Sequence, residues 1–376
     1  MNFLYHLPVN LVFGNGVSQK VGEEAARLGK KALVVTGRSS AKKSGLLDRT
    51  LELLKKEGVS AVIFDEVEPN PLTTTVGKGA ALANEEGCQL VIALGGGSIM
   101  DAAKSIAFAA VNEGDITEYM FGRRTGSGAL PLILVPTTCG TGSEGNNIAV
   151  LTDPASNDKK GLRGDKTYGA VSLIDPQLMK TMPKRTLASV GFDALCHNME
   201  AYVCKAHTPM SDMIALEGIR RTARSLVRVY EDPACDEAWE DVTLASTLGG
   251  MAITAAGVAG PHAIEHPASG LYNITHGLGL AAITPEIFER SISGAPERFA
   301  VISRLLGGKD EQDCAGAIRR LLEKLEINVR LRDLGVKEEG IGWMTENCFR
   351  VSRGGLSKNP VAFTEADVEA IYRACF

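Results

Sequence analysis

The sequence predicts an α/β N-terminal domain built on a parallel sheet, followed by an all-helical C-terminal domain. Over the first half, short runs rich in Val, Ile and Leu alternate with amphipathic segments rich in Ala and Lys, separated by Gly or Pro. That alternation marks successive βαβ units. After about residue 180, long stretches rich in Ala, Glu, Arg and Leu take over and β-branched alternation fades. At 376 residues the chain is too long for one compact core, so two domains are expected.

In chain order, residues 32–36 (ALVVT) read as a buried strand, 45–57 as a helix with apolar Leu46, Leu47, Leu51, Leu53 and Leu54, and 61–64 as the next strand. Residues 90–94 (LVIAL) and 132–135 (LILV) are continuous apolar runs of the kind a parallel sheet buries on both faces, with a helix over 100–111 between them. Residues 171–174 (VSLI) end the sheet at Asp175-Pro176. The boundary falls at Thr181-Met182-Pro183, which gives domains 1–180 and 181–376. Beyond it, residues 211–230, 239–256 and 310–325 read as long helices.

Composition narrows the partners. Hydrophobic residues at 44% and charged residues at 23% sit near globular averages and argue against disorder or a membrane protein. A net charge of −5 gives no long-range attraction for nucleic acid or anionic lipid, so a small-molecule partner is expected. The start Met1-Asn2-Phe3-Leu4-Tyr5-His6 lacks the basic and apolar regions of a secretory signal, which makes the cytoplasm the expectation. Eight scattered cysteines without a CxxC pair read as reduced, mostly buried thiols.

Two loops carry a phosphate signature. Gly95-Gly96-Gly97-Ser98 follows the 90–94 strand and opens a helix, where glycines admit close backbone approach and the helix N-terminus offers free N–H donors and partial positive charge. The spacing departs from GxGxxG. Residues 136–144 (PTTCGTGSE) follow another buried strand and supply hydroxyls at the same sheet edge, so both loops converge on one crevice beyond the strand ends. Asp101, in the first turn of its helix, stands either as a cap or as part of that site.

Histidines gather in the second half. Asp193 and His197 in GFDALCHNMEAY, and His262 and His266 in GPHAIEHPASG, are spaced one helical turn apart, and His276 follows in NITHG. One carboxylate with three imidazoles makes a mixed oxygen and nitrogen shell suited to Fe(II) or Zn(II) and poorly suited to Mg or Ca. Glu200 and Glu265 flank these residues, either orienting them or lying on the surface. His6 and His207 stand outside the pattern.

Taken together and in this order, GGGSIMDAAKSIA, PTTCGTGSEGNN, GFDALCHNMEAY and GPHAIEHPASGLYNITHG resemble the iron-containing (group III) alcohol dehydrogenases, near the butanol and 1,3-propanediol dehydrogenases among them. The resemblance covers nearly the whole chain. It implies a dinucleotide-binding first domain, a metal-binding second domain and a homodimer or higher oligomer. It implies that Asp193, His197, His262 and His276 hold Fe(II), or Zn(II), that His266 helps move a proton, and that Asp101 takes part in catalysis with it. Gly95, Gly96, Gly97 and Ser98, with Asp101, would hold the pyrophosphate and nicotinamide ribose, while Thr137, Thr138, Thr141 and Asn70 would line the adenine and ribose side. A cofactor-contacting lysine falls on Lys159 or Lys160, with Lys159 favoured.

Relatives that prefer NAD carry an Asp after the strand matching ALVVT; here Gly37 stands there, followed by Arg38, Ser39 and Ser40. Loss of the carboxylate and gain of a cation favour NADP(H). Gly145-Asn146 and Thr275 also depart from the family pattern, which bears on pocket shape. The implied reaction moves a hydride between a short primary alcohol or diol, or its aldehyde, and the nicotinamide. A polyol dehydrogenase of the glycerol type is the alternative. A dehydroquinate-synthase-like lyase is disfavoured because no extra Lys or Arg clusters beside the metal motifs in sequence. Small residues around Gly257, Ala259, Gly260 and Gly270 predict a compact, weakly polar pocket.

Overall fold

The computed structural model describes residues 2–376. The strands are β1 (Asn10–Phe13), β2 (Lys31–Gly37), β3 (Ser60–Val67), β4 (Leu90–Gly95), β5 (Leu132–Pro136), β6 (Ile148–Asp153), β7 (Asp158–Arg163) and β8 (Val171–Ile174). Six form one parallel sheet in the order β1-β8-β5-β4-β2-β3. Helices α1 (Val21–Leu28), α2 (Leu46–Lys56), α3 (Thr73–Glu85) and α4 (Gly97–Ala109) connect them. The continuous apolar runs became the central strands, as a sheet covered on both faces requires: Leu90, Val91, Ile92, Ala93 and Leu94 are all fully buried. At about 1.5–3 kcal/mol for each large aliphatic side chain, β4 alone supplies a substantial part of this core.

The chain passes from β2 outward to β3 and then returns to β4 on the other side of β2, so the connections reverse direction between β2 and β4. A crevice opens at the carboxyl ends of strands at such a switch point. Gly37 ends β2 and Gly95 ends β4.

From Lys184 onward the structure is helical: α5 (Lys184–Val203), α6 (Pro209–Glu231), α7 (Asp236–Ala255), α8 (Gly260–Tyr272), α9 (His276–Ser291), α10 (Pro296–Leu305), α11 (Cys314–Lys324), α12 (Ile341–Val351) and α13 (Glu365–Cys375). Phe192, Trp239, Phe288 and Phe299 anchor their shared core. Pro267 lies inside α8 and removes an N–H that would bond the Ala263 carbonyl. The Cys348 thiol donates to that carbonyl at 3.3 Å, so the freed acceptor is satisfied. Among the described residues no single helix is long and apolar enough to cross a membrane, and all eight cysteines are free, seven of them buried.

The antiparallel hairpin β6–β7 was not expected from sequence. It packs on α4, and two buried side chains of that helix hold it. Asp101 is not a helix cap: α4 is capped by Gly96, and the Asp101 carboxylate instead accepts from Ser143 Oγ at 2.7 Å and from the Val150 N–H at 2.9 Å. Lys104, fully buried, donates to the carbonyls of Ser143, Asn146 and Ile148 at 2.6, 3.0 and 2.9 Å and to Asn146 Oδ1 at 2.9 Å. Asn146, a departure noted in sequence, is therefore an anchor for Lys104.

The loop after β5 touches α7 where two glycines meet. Gly142 has a φ of +58°, and a Cβ placed on Gly250 would lie 1.9 Å from the Gly142 carbonyl oxygen. Backbone on backbone leaves nothing flexible to move. Gly250→Ala is therefore expected to lower stability by about 1–3 kcal/mol, measured by chemical denaturation; an unchanged midpoint would show that this contact yields easily.

Candidate metal and cofactor site

Asp193 and His197 sit one turn apart on α5, where the preceding small residues, Gly191 among them, allow tight packing against α6. His262 stands in the first turn of α8. Asn273, in the left-handed conformation with φ 50°, ends that helix and turns the chain so that His276 begins α9 beside it. Donor atoms of Asp193, His262 and His276 all lie within 4.8 Å of one another. Asp193 Oδ1 is 3.4 Å from His262 Nε2 and 3.7 Å from His276 Nε2. His197 stacks on His262 with ring centroids 4.4 Å apart, and its Nδ1 faces Asp193 Oδ1 at 3.5 Å and the Gly140 carbonyl at 3.3 Å. Three predicted ligands thus converge tightly and the fourth stands alongside.

Asp193 Oδ1 and His262 Nε2 are buried and have no hydrogen-bond partner. A buried acceptor left unpaired costs about 1–3 kcal/mol, more when charged, and a divalent cation between these atoms removes that cost. Carboxylate and imidazole donors suit Fe(II) or Zn(II), so the residues present fit such an ion. Burial would raise the Asp193 carboxyl, but the surrounding imidazoles outweigh it and hold it below the usual carboxylate range. Burial pushes His197 down to about 4, leaving it neutral and able to ligate.

Two glutamates left open by the sequence turn out to be fully buried. Glu200 Oε1 faces His262 Nδ1 at 2.5 Å, while its Oε2 accepts from the Ala259 N–H at 2.7 Å and so also holds the start of α8. Glu265 Oε2 faces His276 Nδ1 at 2.5 Å, and Ser269 donates to its other oxygen. Each carboxylate fixes the tautomer that presents Nε2 to the shared centre. His266, one turn after His262, lies with its ring centroid 5.6 Å from that of His276. Burial pushes its pKa well below the ordinary imidazole value.

The glycine turn borders the same space. A Cβ on Gly96 would lie 2.7 Å from Thr138 Oγ1, and one on Gly97 would lie 2.3 Å from Thr141 Cγ2, so the second loop rests directly on the first. Thr137 N–H donates to the Gly95 carbonyl at 3.1 Å. A cavity of about 130 Å³ runs from Ser98 and Thr141 to His262 and His276. Lys159 reaches it from β7, its Nζ 3.0 Å from Asn70 Oδ1, and burial lowers its pKa. Asn70, assigned by resemblance to the adenine and ribose side with Thr137, Thr138 and Thr141, lines this cavity together with Thr141. Its φ is 50° and its Nδ2 donates to Asn273 Oδ1 at 2.7 Å, which sets it beside Lys159 at the metal end. Arg38 and Ser39 follow Gly37 and are exposed.

Comparison with known proteins decides the family. The model of iron-containing alcohol dehydrogenases matches residues 8–176, and the model of the C-terminal domain of the same family matches residues 187–376. The chain belongs to the iron-containing alcohol dehydrogenase family. A 1,3-propanediol dehydrogenase of Klebsiella pneumoniae is 37% identical over 385 aligned residues that cover 100% of this chain and 99% of the relative. An alcohol dehydrogenase from an archaeal halo-thermophile of a Red Sea brine pool superposes with TM-score 0.95 at 36% identity, covering 100% and 99% of the two chains. The NADH-dependent butanol dehydrogenase A of Thermotoga maritima gives TM-score 0.92 at 31% identity, covering 100% and 98%.

In this alcohol dehydrogenase the expected compact, weakly polar pocket is not built by the small residues. Gly257 packs under Lys358, Gly260 against Asn359 and Gly270 against the Asn157 carbonyl, while Ala259 is core. Nor is the site free of extra cations. Lys160, Arg163 and Lys358 line a cavity that His266 also lines, and sequence reading missed them because Lys358 is brought in from far along the chain.

Replacing Glu200 or Glu265 by Gln is expected to weaken metal binding by about 10–100-fold, read by competition with a chromophoric chelator on protein with unchanged circular dichroism. Wild-type affinity in both variants would remove these carboxylates from the site's design.

Proposed function

We propose that this dehydrogenase interconverts a short alcohol and its aldehyde with NADP(H) in preference to NAD(H), using Fe(II), or Zn(II), held by Asp193, His262 and His276 with His197 beside them. The observation that carries the metal assignment is the pair of orphaned buried atoms, Asp193 Oδ1 and His262 Nε2, facing His276 Nε2. Bound there, the ion would supply Lewis acidity to a substrate oxygen, and a nicotinamide held beside the glycine turn would supply the hydride acceptor or donor.

The protein's own part is placement. Glu200 and Glu265 aim the imidazoles, and the burial of Asp193 and His262 keeps water from their donor atoms. Asp101, implied by resemblance to take part in catalysis, has both oxygens engaged, so we assign it to positioning the loop and hairpin that border the cavity. Lys159, tied to Asn70, presents a cation to the same space. We assign to His266, which lines both adjoining cavities, the passage of the alcohol proton toward solvent. Eight unpaired thiols support a reducing compartment, and we place the protein in the cytoplasm. The unpaired outer edge of β1, with Phe13 exposed on it and Phe3 and Leu4 exposed in the segment before it, supports a dimer.

Treatment with a chelator is expected to abolish alcohol-dependent reduction of the nicotinamide, and Fe(II) or Zn(II) to restore it; activity surviving in metal-free protein sinks the assignment. The cofactor preference rests on Gly37 and the unpaired Arg38. The ratio of kcat/KM for NADPH over NADH is expected to favour NADPH by roughly tenfold or more, as a charge-assisted contact to the 2′-phosphate provides. Gly37→Asp, whose Cβ would meet the flexible Ile99 side chain at 3.3 Å and the Val67 carbonyl oxygen at an ordinary 3.5 Å, should reverse it. A wild-type preference for NADH defeats this reading.

A further inference from the structure

Next to the metal site lies a larger cavity of about 510 Å³, which meets the first at Lys159, Arg163, Val258 and His266. Lys160 and Arg163 reach it from β7 and Lys358 from the turn between α12 and α13, and no Asp or Glu lines it. None of the three has a carboxylate partner among the described residues. Lys160 Nζ donates to the Val351 carbonyl at 3.2 Å and lies 5.4 Å from the centre of the Phe121 ring. Lys358 Nζ donates to the Ala256 carbonyl at 3.1 Å. The Arg163 side chain has neither a hydrogen bond nor an ion pair among the described residues. The nearest acid on β7, Asp158, is taken by Arg350 at 2.7 and 2.9 Å and by Asn347 at 2.8 Å.

Three cations gathered on a concave wall without a counter-ion repel one another. Burial, and after it the charge of Arg163, depresses both Lys160 and Lys358. Such a wall costs stability unless an anion seats against it. The cofactor phosphates are not that anion, because neither the turn from Gly95 to Ser98 nor the segment from Gly37 to Ser39 lines this cavity. Its open connection runs instead to His266, at the reacting end of the substrate.

We propose that the physiological substrate is a short alcohol or aldehyde whose far end carries an anionic group, a carboxylate, sulfonate or phosphonate, seated against Lys160, Arg163 and Lys358. This rests on the dehydrogenase reading above. In oxidation the C–H hydride passes to NAD(P)⁺ and the hydroxyl proton to solvent, giving the aldehyde; the anionic tail is unchanged and serves only for recognition.

The test compares aldehydes of equal chain length ending in a methyl or hydroxymethyl group with those ending in a carboxylate, sulfonate or phosphonate, using metal-loaded enzyme and NADPH. The anionic set is expected to give kcat/KM higher by roughly tenfold to a hundredfold, the size of a charge-assisted contact, and its members rank planar against tetrahedral tails. Lys358→Gln and Lys160→Gln should each collapse the ratio of anionic to neutral kcat/KM, mainly through KM. A saturated sulfonate or phosphonate without a carbonyl should inhibit competitively against the aldehyde. Neutral aldehydes used as well as anionic ones, a ratio untouched in both variants, or competition against the dinucleotide would each overturn the proposal while leaving the dehydrogenase intact. No turnover of either set overturns both.

Discussion

Three buried carboxylates set the terms for the rest of this molecule. Asp193, Glu200 and Glu265 are at most 3% exposed, and a carboxylate taken out of water costs several kcal/mol unless it is paired and hydrogen-bonded. Glu200 and Glu265 meet that cost with the Nδ1 atoms of His262 and His276 and with neighbouring donors. Asp193 keeps one oxygen unpartnered, at the point where the imidazoles converge. The helices α5, α8 and α9 are therefore fixed relative to each other by electrostatics as well as by apolar contact. The break at Asn273 is what lets α9 begin at this point.

A parallel logic operates in the α/β half. Asp101 and Lys104, three residues apart on α4, hold the Ser143 to Val150 segment through both side-chain and backbone atoms. The glycine turn and the threonine loop keep their mutual position because one helix carries the first and grips the second. Asp101, which the resemblance placed at the reacting site, thus works with Lys104 as a clamp. Through the hairpin it also supports β7, from which Lys159 and Arg163 line both cavities and Lys160 the larger one.

Much of this was legible in the chain because the signals are local. Apolar runs such as LVIAL need burial on both faces and became β4 and β5, and the spacing of Asp193 with His197 and of His262 with His266 follows directly from helical pitch. Features that depend on long-range approach were not legible. The hairpin β6–β7 is written in a segment, DKKGLR, whose charges give no strand alternation; its pairing comes from the turn at Asn157 and from packing on α4. Glu200 and Glu265 could not be told from surface carboxylates, since their burial is set by helices distant in sequence. The contacts of Asn70 were not legible either, because they depend on a left-handed backbone and on Asn273, distant in sequence. The cationic wall escaped notice because Lys358 and β7 meet only in three dimensions, and the same Lys358 fills the space over Gly257 that the small residues had suggested was open.

The donors around the metal position are unequally reachable: the His276 side chain is 22% exposed, against 4% for Asp193 and 3% for His262. An ion must therefore come and go past the His276 ring, through the same cavity that opens onto the glycine turn. A dinucleotide bound against the glycine turn, as we propose, would stand across that passage. Loss of metal should then be governed by how often the nicotinamide leaves, so that an enzyme busy with its cofactor protects its own ion, while one starved of cofactor sheds it.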